Sequence, residues 1–401
     1  MIFKNGSFFR RDNRHAIGSW WWTLDKFSVV LFLCIIVFGI FVLFSASPAV
    51  AERIGLDGYH FIYKQLQILP LALLLCFLAS LLNSQWIKYL GTLLGIGAFV
   101  GVLLTLIMGT EIKGATRWIR LAGLTLQPSE FLKPAFAIMG AWVLTLTTIP
   151  TILHRQFLSL ALLGTVCLSL LLQPDLGMTI LFVATWSAQL FLTGLALRWI
   201  VYLGGMGIAG LGLAYYTLPH VTSRVDRFLN PTESNSYQVL KSKEAFVAGG
   251  LFGEGPGEGQ VKNYLPDSHA DMIFAVAGEE LGFISCVMIV LLFGLFITRS
   301  FLRLNGQKDT FTIIAGSGLL MQFGCQSFIN MASALNLIPA KGMTLPFMSY
   351  GGSSLMALGL TVGFIFSFTR KRQHGNFFTL EADHLPTLKK KQNKTLDNLT
   401  Q

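Results

Sequence analysis

Residues Phe27 to Ser47 read FSVVLFLCIIVFGIFVLFSAS, an apolar run without a single charge. At 1.5 Å per residue, a helix of this length is about 30 Å long, the thickness of a bilayer's hydrocarbon core. Comparable stretches follow at Phe61 to Leu82, Tyr89 to Met108, Ser129 to Thr148, Phe157 to Leu172, Leu176 to Thr193 and Arg198 to Leu218. Three more lie at Met272 to Thr298, Phe311 to Ala334 and Ser349 to Thr369. Of 401 residues, 53% are hydrophobic and 12% charged, against about 25% charged in a soluble domain. This balance excludes a soluble globular enzyme, a disordered chain and a secreted disulfide scaffold. The expected fold is an all-α polytopic membrane protein with ten transmembrane helices.

Ten is even, so both termini fall on one side. The N-terminal arm (1–26) and the tail (370–401) are basic, which places both in the cytoplasm. The net charge of +10 is concentrated on that side, so it reads as membrane orientation and not as a nucleic-acid surface. Trp20, Trp21 and Trp22 fit an interfacial belt before the first span. Lys4, Arg10, Arg11 and Arg14 precede a run that ends near Ala49-Val50-Ala51, which is signal-peptide-like. The run is too long for such a segment, so it reads as a retained span. Cys34, Cys76, Cys167, Cys286 and Cys325 each sit alone in an apolar run, without metal or redox spacing.

The body is therefore expected over 27–369, with one long outer connection, 219–271, between the seventh and eighth helices. That loop has a charged stretch at Arg224 to Arg227 and an expected short amphipathic helix at Tyr237 to Phe246. Next comes GGLFGEGPGEGQVKNYLPDSHADMIFAVAGEELG, Gly249 to Gly282. Its glycines suit a flexible turn or the close approach of a ligand. No Gly-Lys-Ser/Thr follows, so it is not a Walker loop.

The candidate chemistry is carried by few residues. His269 and Asp271 lie where this loop meets the eighth span. Asp271 can be a general base, a metal ligand or a substrate acceptor, or simply a helix N-terminal charge. Glu279 and Glu280 follow on the same helix, with Glu279 about 12 Å deeper than Asp271, and ionisable groups at that depth are functional candidates. Glu130 and Lys133 have i,i+3 spacing and can pair. Asp175 in QPDLG is a further acid at a span end. Gln322, Gln326 and Asn330 form a stripe suited to interhelical hydrogen bonds or to a cavity wall. Trp118, flanked by Arg117 and Arg120, fits either an interfacial anchor or contact with a phosphate-bearing lipid. In KGMTLPFMSYGGSS, Lys341 to Ser354, the start of the last span around Ser353 offers free N–H groups to an anion.

GATRWIRL, QPSEFLKP, QPDLG, the glycine segment through LPDSHADMIFAVAGEELG, and LIPAKGMTLPFMSYGGSS occur in this order between Trp118 and Gly363 or just before. Together they resemble the SEDS family of cell-wall polymerases, and most closely its division branch. The resemblance implies a ten-span fold and peptidoglycan glycosyltransferase activity on lipid II, a disaccharide-pentapeptide on undecaprenyl pyrophosphate. It places the family's essential aspartate on Asp271, its tryptophan on Trp118, its Glu/Lys pair on Glu130 and Lys133, and a further acid on Asp175. Ala270 and Met272 stand where the family usually has threonine and phenylalanine.

The implied partners are a class B penicillin-binding protein, other division membrane proteins and membrane lipid, in the cytoplasmic membrane at the septum. A divalent cation, magnesium or manganese, is expected and no organic cofactor. Asp271 is expected to take the proton from the acceptor sugar, with Arg117, Arg120, Lys133, Lys262 or the Ser353 helix end facing the pyrophosphate. A lipid II transporter, motivated by Glu279, Glu280 and the polar stripe, and a non-catalytic scaffold are the competing readings.

Overall fold

The computed structural model describes residues 16–371, apart from 113–114, 122–123, 150, 196, 218, 230–236 and 340–341. The arm before residue 16, the tail after 371 and Lys341 lie outside the described residues, as does the side chain of Arg120. The contacts divide the chain into two units. The described parts of the smaller one are a short helix, α1 (Ala16–Thr23), and residues 370–371, where the Lys371 N–H donates to the Thr23 carbonyl at 3.0 Å.

The larger unit, Leu24–Thr369, is a helical body. It begins with α2 (Lys26–Ala51), α3 (His60–Leu81), α4 (Ser84–Met108), α5 (Pro128–Thr145), α6 (Ile152–Leu172) and α7 (Leu176–Leu192). It continues with α8 (Leu197–Thr217), α9 (Pro219–Leu229), α10 (Tyr237–Gly249), α11 (Ile273–Leu304), α12 (Thr310–Ala334) and α13 (Gly352–Thr369). Each stretch expected to span coincides with one of these helices. Seven described helices (α2, α3, α4, α6, α11, α12 and α13) are long and apolar enough to cross a membrane, and α7 is a shorter apolar helix. The charged and amphipathic segments of the long connection between α8 and α11 are α9 and α10.

The all-α expectation needs one correction. Between α4 and α5 the chain forms a three-stranded antiparallel sheet: β1 (Thr110–Ile112), β2 (Ala115–Leu121) and β3 (Leu124–Leu126), in the order β1-β2-β3. Threonine and isoleucine recur through the segment, and β-branched residues favour the pleated backbone. In β2, neighbours project to opposite faces, so Arg117 and Trp118 do not share one surface.

Helices approach closely where side chains are absent. A Cβ on Gly359 of α13 would lie 2.3 Å from the Ala72 carbonyl of α3, and one on Gly363 2.5 Å from that of Cys76. Four-residue spacing of small residues is the usual way for membrane helices to gain packing without a hydrophobic drive between them. The Ser367 hydroxyl extends this seam, donating to the Leu82 carbonyl at 2.6 Å. Phenylalanine fills much of the centre: Phe32 meets Phe347 edge-on with ring centroids 4.8 Å apart, and Phe296 lies 5.3 Å from Phe323.

The direction of α11 is fixed at both ends. At one end Asp25, which precedes α2, takes hydrogen bonds from Arg299 Nε at 2.9 Å and Arg303 Nη2 at 2.6 Å. At the other, the Ser45 hydroxyl of α2 donates to Glu280. The two helices thus run antiparallel, and Asp271, just before α11, lies at the end of the body opposite Asp25. Burial alone would push the Asp25 carboxyl up; the bonds from Arg299, Ser28 and Arg303 outweigh it and hold it well below the usual carboxylate range. A depressed carboxylate contributes stability that is complete above its unfolded value, near pH 4, and fades as pH falls below it. Asp25→Asn is expected to cost about 2 kcal/mol at neutral pH, discounted for the part-exposed guanidiniums. Unfolding midpoints should show this gap narrowing below pH 4; a gap constant across that range would refute the assignment.

Candidate functional site

Asp271 sits in a compact turn. The Ala270 N–H donates to the Asp267 carbonyl at 2.9 Å and Met272 N–H to the same oxygen at 3.3 Å, with Asp267 at φ 52°. Helix α11 starts only at Ile273, and its N-cap is Met272. Asp271 therefore sits where the loop meets the helix, immediately before its N-cap, and stands half-buried, backed by the fully buried run Ile273–Ala277.

Three elements hold that loop. The Tyr350 N–H donates to the His269 carbonyl at 2.9 Å, while the buried His269 ring stacks on Phe61 of α3 at 4.0 Å between centroids. The Asn330 amide of α12 donates to the Asp271 carbonyl at 2.9 Å and to the Met343 carbonyl at 2.7 Å. Gly342 backs directly onto the carboxylate, since a Cβ there would lie 3.3 Å from Asp271 Oδ2.

The segment carrying Gly342 is itself tied to the Glu/Lys pair. Glu130 and Lys133 form a buried ion pair at 2.7 Å on α5. Lys133 Nζ also donates to Gln326 Oε1 at 2.7 Å, and the Gln326 amide donates to the Thr344 carbonyl at 2.9 Å. Gln322 Nε2 donates to the Lys133 carbonyl at 2.8 Å. The polar stripe of α12 is thus an interhelical clamp, and it joins three sequence motifs into one network ending at Asp271.

Several expected roles are corrected. Arg117 does not stand free for a phosphate. It pairs with Asp175 at 3.3 Å and donates to the Gln173 carbonyl at 3.2 Å and to that of Pro174. Asp175 in turn caps α7, accepting from the Met178 N–H at 3.3 Å. Trp118 is half-buried in β2, opposite Thr110. The Ser353 hydroxyl accepts from the Gln127 N–H at 3.1 Å and donates to the Thr125 carbonyl at 3.1 Å, which ties the start of α13 to β3 and α5.

The glycine segment is not a flexible turn. Helix α11 breaks at Gly282, whose φ of 76° and ψ of −176° leave the helical region. The break frees backbone groups, and the glycine segment satisfies them. Glu254 and Gly255 N–H donate to the Glu279 and Glu280 carbonyls, both at 3.0 Å. In return the Phe283 N–H donates to Gly250 at 2.9 Å and Ile284 N–H to Leu251 at 3.3 Å. Only glycine fits at 253, where φ is +85° and a Cβ would lie 2.1 Å from the Glu280 carbonyl.

The side chains of the same two glutamates complete this junction. Glu279 accepts from the Val261 N–H at 2.6 Å and the Lys262 N–H at 2.8 Å. Glu280 forms a buried ion pair with Lys262, whose Nζ also donates to Ser45 at 3.0 Å and to the Gly257 carbonyl at 3.1 Å. Lys262 is therefore a structural cation, and Glu279 lies on the helical stretch between Ile273 and the break at Gly282. A cavity of about 280 Å³ opens beside Lys262, lined by Ser45, Glu52, Tyr59, Gln260 and Asn263 among others.

No three His, Cys, Asp or Glu side chains converge to hold a metal ion among the described residues. Sequence reasoning missed Asn330 as a neighbour of Asp271 and Gly342 as its wall. The four-residue spacing of Gln322, Gln326 and Asn330 signalled hydrogen bonding, but nothing local named the partners.

Comparison with known proteins agrees with this architecture. A probable peptidoglycan glycosyltransferase FtsW from Caulobacter vibrioides is 38% identical over 372 residues, covering 91% of this chain and 94% of that protein. Stage V sporulation protein E of Bacillus subtilis is 31% identical over 354 residues, covering 86% and 97%. A chain from a peptidoglycan synthase complex solved for the coordination of polymerization and crosslinking superposes with a TM-score of 0.74 at 29% identity, covering 88% of this chain and all of that one. The Thermus thermophilus rod shape determining protein RodA gives a TM-score of 0.63 at 28% identity, covering 88% and 99%. The family model for FtsW, RodA and SpoVE cell cycle proteins matches residues 25–374, and the chain belongs to that family.

Proposed function

We propose that this chain is a peptidoglycan glycosyltransferase of cell division, polymerising lipid II into glycan strands at the outer face of the cytoplasmic membrane. The observation that carries the reading is Asp271: a half-buried residue on a loop held by three elements, at the end of the body opposite Asp25. The ten helices matching the apolar stretches are the spans, over 27–369. The arm 1–26 and the tail 370–401 are cytoplasmic, and 219–271 is the outer loop.

Asp271 accepts the proton of the acceptor sugar's 4-hydroxyl. That oxygen attacks the anomeric carbon of the growing glycan, forming the new glycosidic bond as the bond to lipid pyrophosphate breaks. A base in hydrogen-bond reach contributes about 10²–10⁴ in rate. Arg117 and Lys262 are consumed within the fold and do not serve the leaving group. Lys133 is the cation whose hydrogen-bonded network reaches the Asp271 segment. No step here is routed through the expected divalent cation.

The transporter reading loses its motivation, because Glu279, Glu280 and the α12 stripe are engaged in bonds that hold the fold. A class B penicillin-binding protein and other division proteins at the septum are the partners of this reading, and its lipid surroundings are the membrane's own. The test is a glycan-strand assay on purified protein with labelled lipid II and added magnesium or manganese, with and without the cognate transpeptidase. Polymer from substrate presented on the outer side is expected. No polymer with the transpeptidase present would overturn the reading in favour of transport or scaffolding.

A further inference from the structure

We infer that Asn330 is a positioning residue for the Asp271 carboxylate, setting through one amide both the base and the backbone wall against which it rests. The inference rests on the polymerase reading above and extends it to a helix that touches no substrate in that mechanism.

The Asn330 side chain is fully buried. Its two amide hydrogens go to two main-chain oxygens, Asp271 O at 2.9 Å and Met343 O at 2.7 Å. The orientation of the amide is thereby determined. Turned over, it would set its own oxygen against two carbonyl oxygens. An amide is a costly group to bury in an apolar helix unless its bonds matter.

The placement of these bonds distinguishes Asn330 from an ordinary cross-link. One falls on the carbonyl of Asp271 itself, so it fixes the Cα from which the carboxylate extends. The other falls on Met343, next to Gly342, whose Cα faces Asp271 Oδ2. Base and wall are therefore registered to each other by a single side chain on α12. Glycine at 342 suits this register, because a Cβ there would lie 3.3 Å from Asp271 Oδ2 and the carboxylate would have to give by a few tenths of an ångström. Misplacing a reacting group by about 1 Å costs on the order of 100-fold in rate.

The test measures kcat and KM for lipid II with Asn330→Leu, Asn330→Asp and Gly342→Ala, alongside unfolding midpoints. Ser367→Ala, which removes an interhelical hydrogen bond far from Asp271 in sequence and at the other end of α13, is the control for mere loss of a cross-link. Each test variant is expected to lose about 30-fold or more in kcat, with KM within about threefold. Ser367→Ala is expected to lower the midpoint with kcat unchanged. Kinetics of the Asn330 variants within threefold of wild type, or a loss confined to the midpoint as in the control, would overturn the inference. Should Asn330→Leu fail to fold, Asn330→Asp and Gly342→Ala decide it. Asp271→Asn is run in parallel. If that variant polymerises normally, the base reading fails; if it is inactive while the Asn330 and Gly342 variants are unaffected, only the positioning role fails.

Discussion

Asp271→Asn is expected to abolish polymerisation, lowering the rate by about 10³-fold or more, while leaving membrane insertion and the unfolding midpoint close to wild type. An amide is nearly the same size as a carboxylate but cannot accept the proton in the transition state. The frame should survive the change, because the bond from Asn330 goes to the main-chain carbonyl of residue 271 and the contact with Gly342 depends on shape. Glycan-strand gels report the chemistry and thermal unfolding in detergent reports the fold. Polymer from Asp271→Asn at a rate near that of wild type would refute the role of the carboxylate.

Lys133→Met is expected to be the most destabilising of the single substitutions considered. It leaves Glu130 as a buried carboxylate without its cation, and Gln326 loses the donor to its Oε1. Breaking one partner of a buried pair costs about 3–5 kcal/mol, whereas replacing both by neutral groups of similar volume is often close to neutral. Glu130→Gln with Lys133→Met should therefore recover most of the lost stability. Activity should fall in the single variant as well, because Gln326 holds Thr344 in the segment that faces Asp271. Unfolding midpoints of the two single variants and the double form the cycle that separates pairing from side-chain volume. An unchanged midpoint in Lys133→Met would show that the pair is not buried as described.

The helices were legible because a long uncharged run has few alternatives, and each expected stretch from Phe27 onward matches one. The sheet at Thr110 to Leu126 was not legible, because strands of three to seven residues leave too short an alternation to stand out. The glycine segment misled for a different reason. Its composition reports backbone freedom, but the structure uses those glycines for close approach to α11, which depends on the break at Gly282. No local pattern announces that break, so the bonds that the glycine segment makes to residues on either side of Gly282 could not be read from the sequence. For the candidate site the residue types were readable and the pairings only partly. Glu130 and Lys133 are three apart on one helix, and their ion pair follows from spacing. Arg117 with Asp175, Lys262 with Glu280 and Asn330 with Asp271 are joined by tertiary folding alone.

The break in α11 also has a mechanical meaning. A continuous helix transmits a push along its whole length, since each turn is hydrogen-bonded to the next. At Gly282 that ladder is replaced by rungs to residues 250–255, so the short piece from Ile273 is joined to the long piece that follows by one residue of positive φ. A load on residues 250–255 would therefore act first on this short piece, just after Asp271, while the long piece is anchored by Arg299 and Arg303 on Asp25.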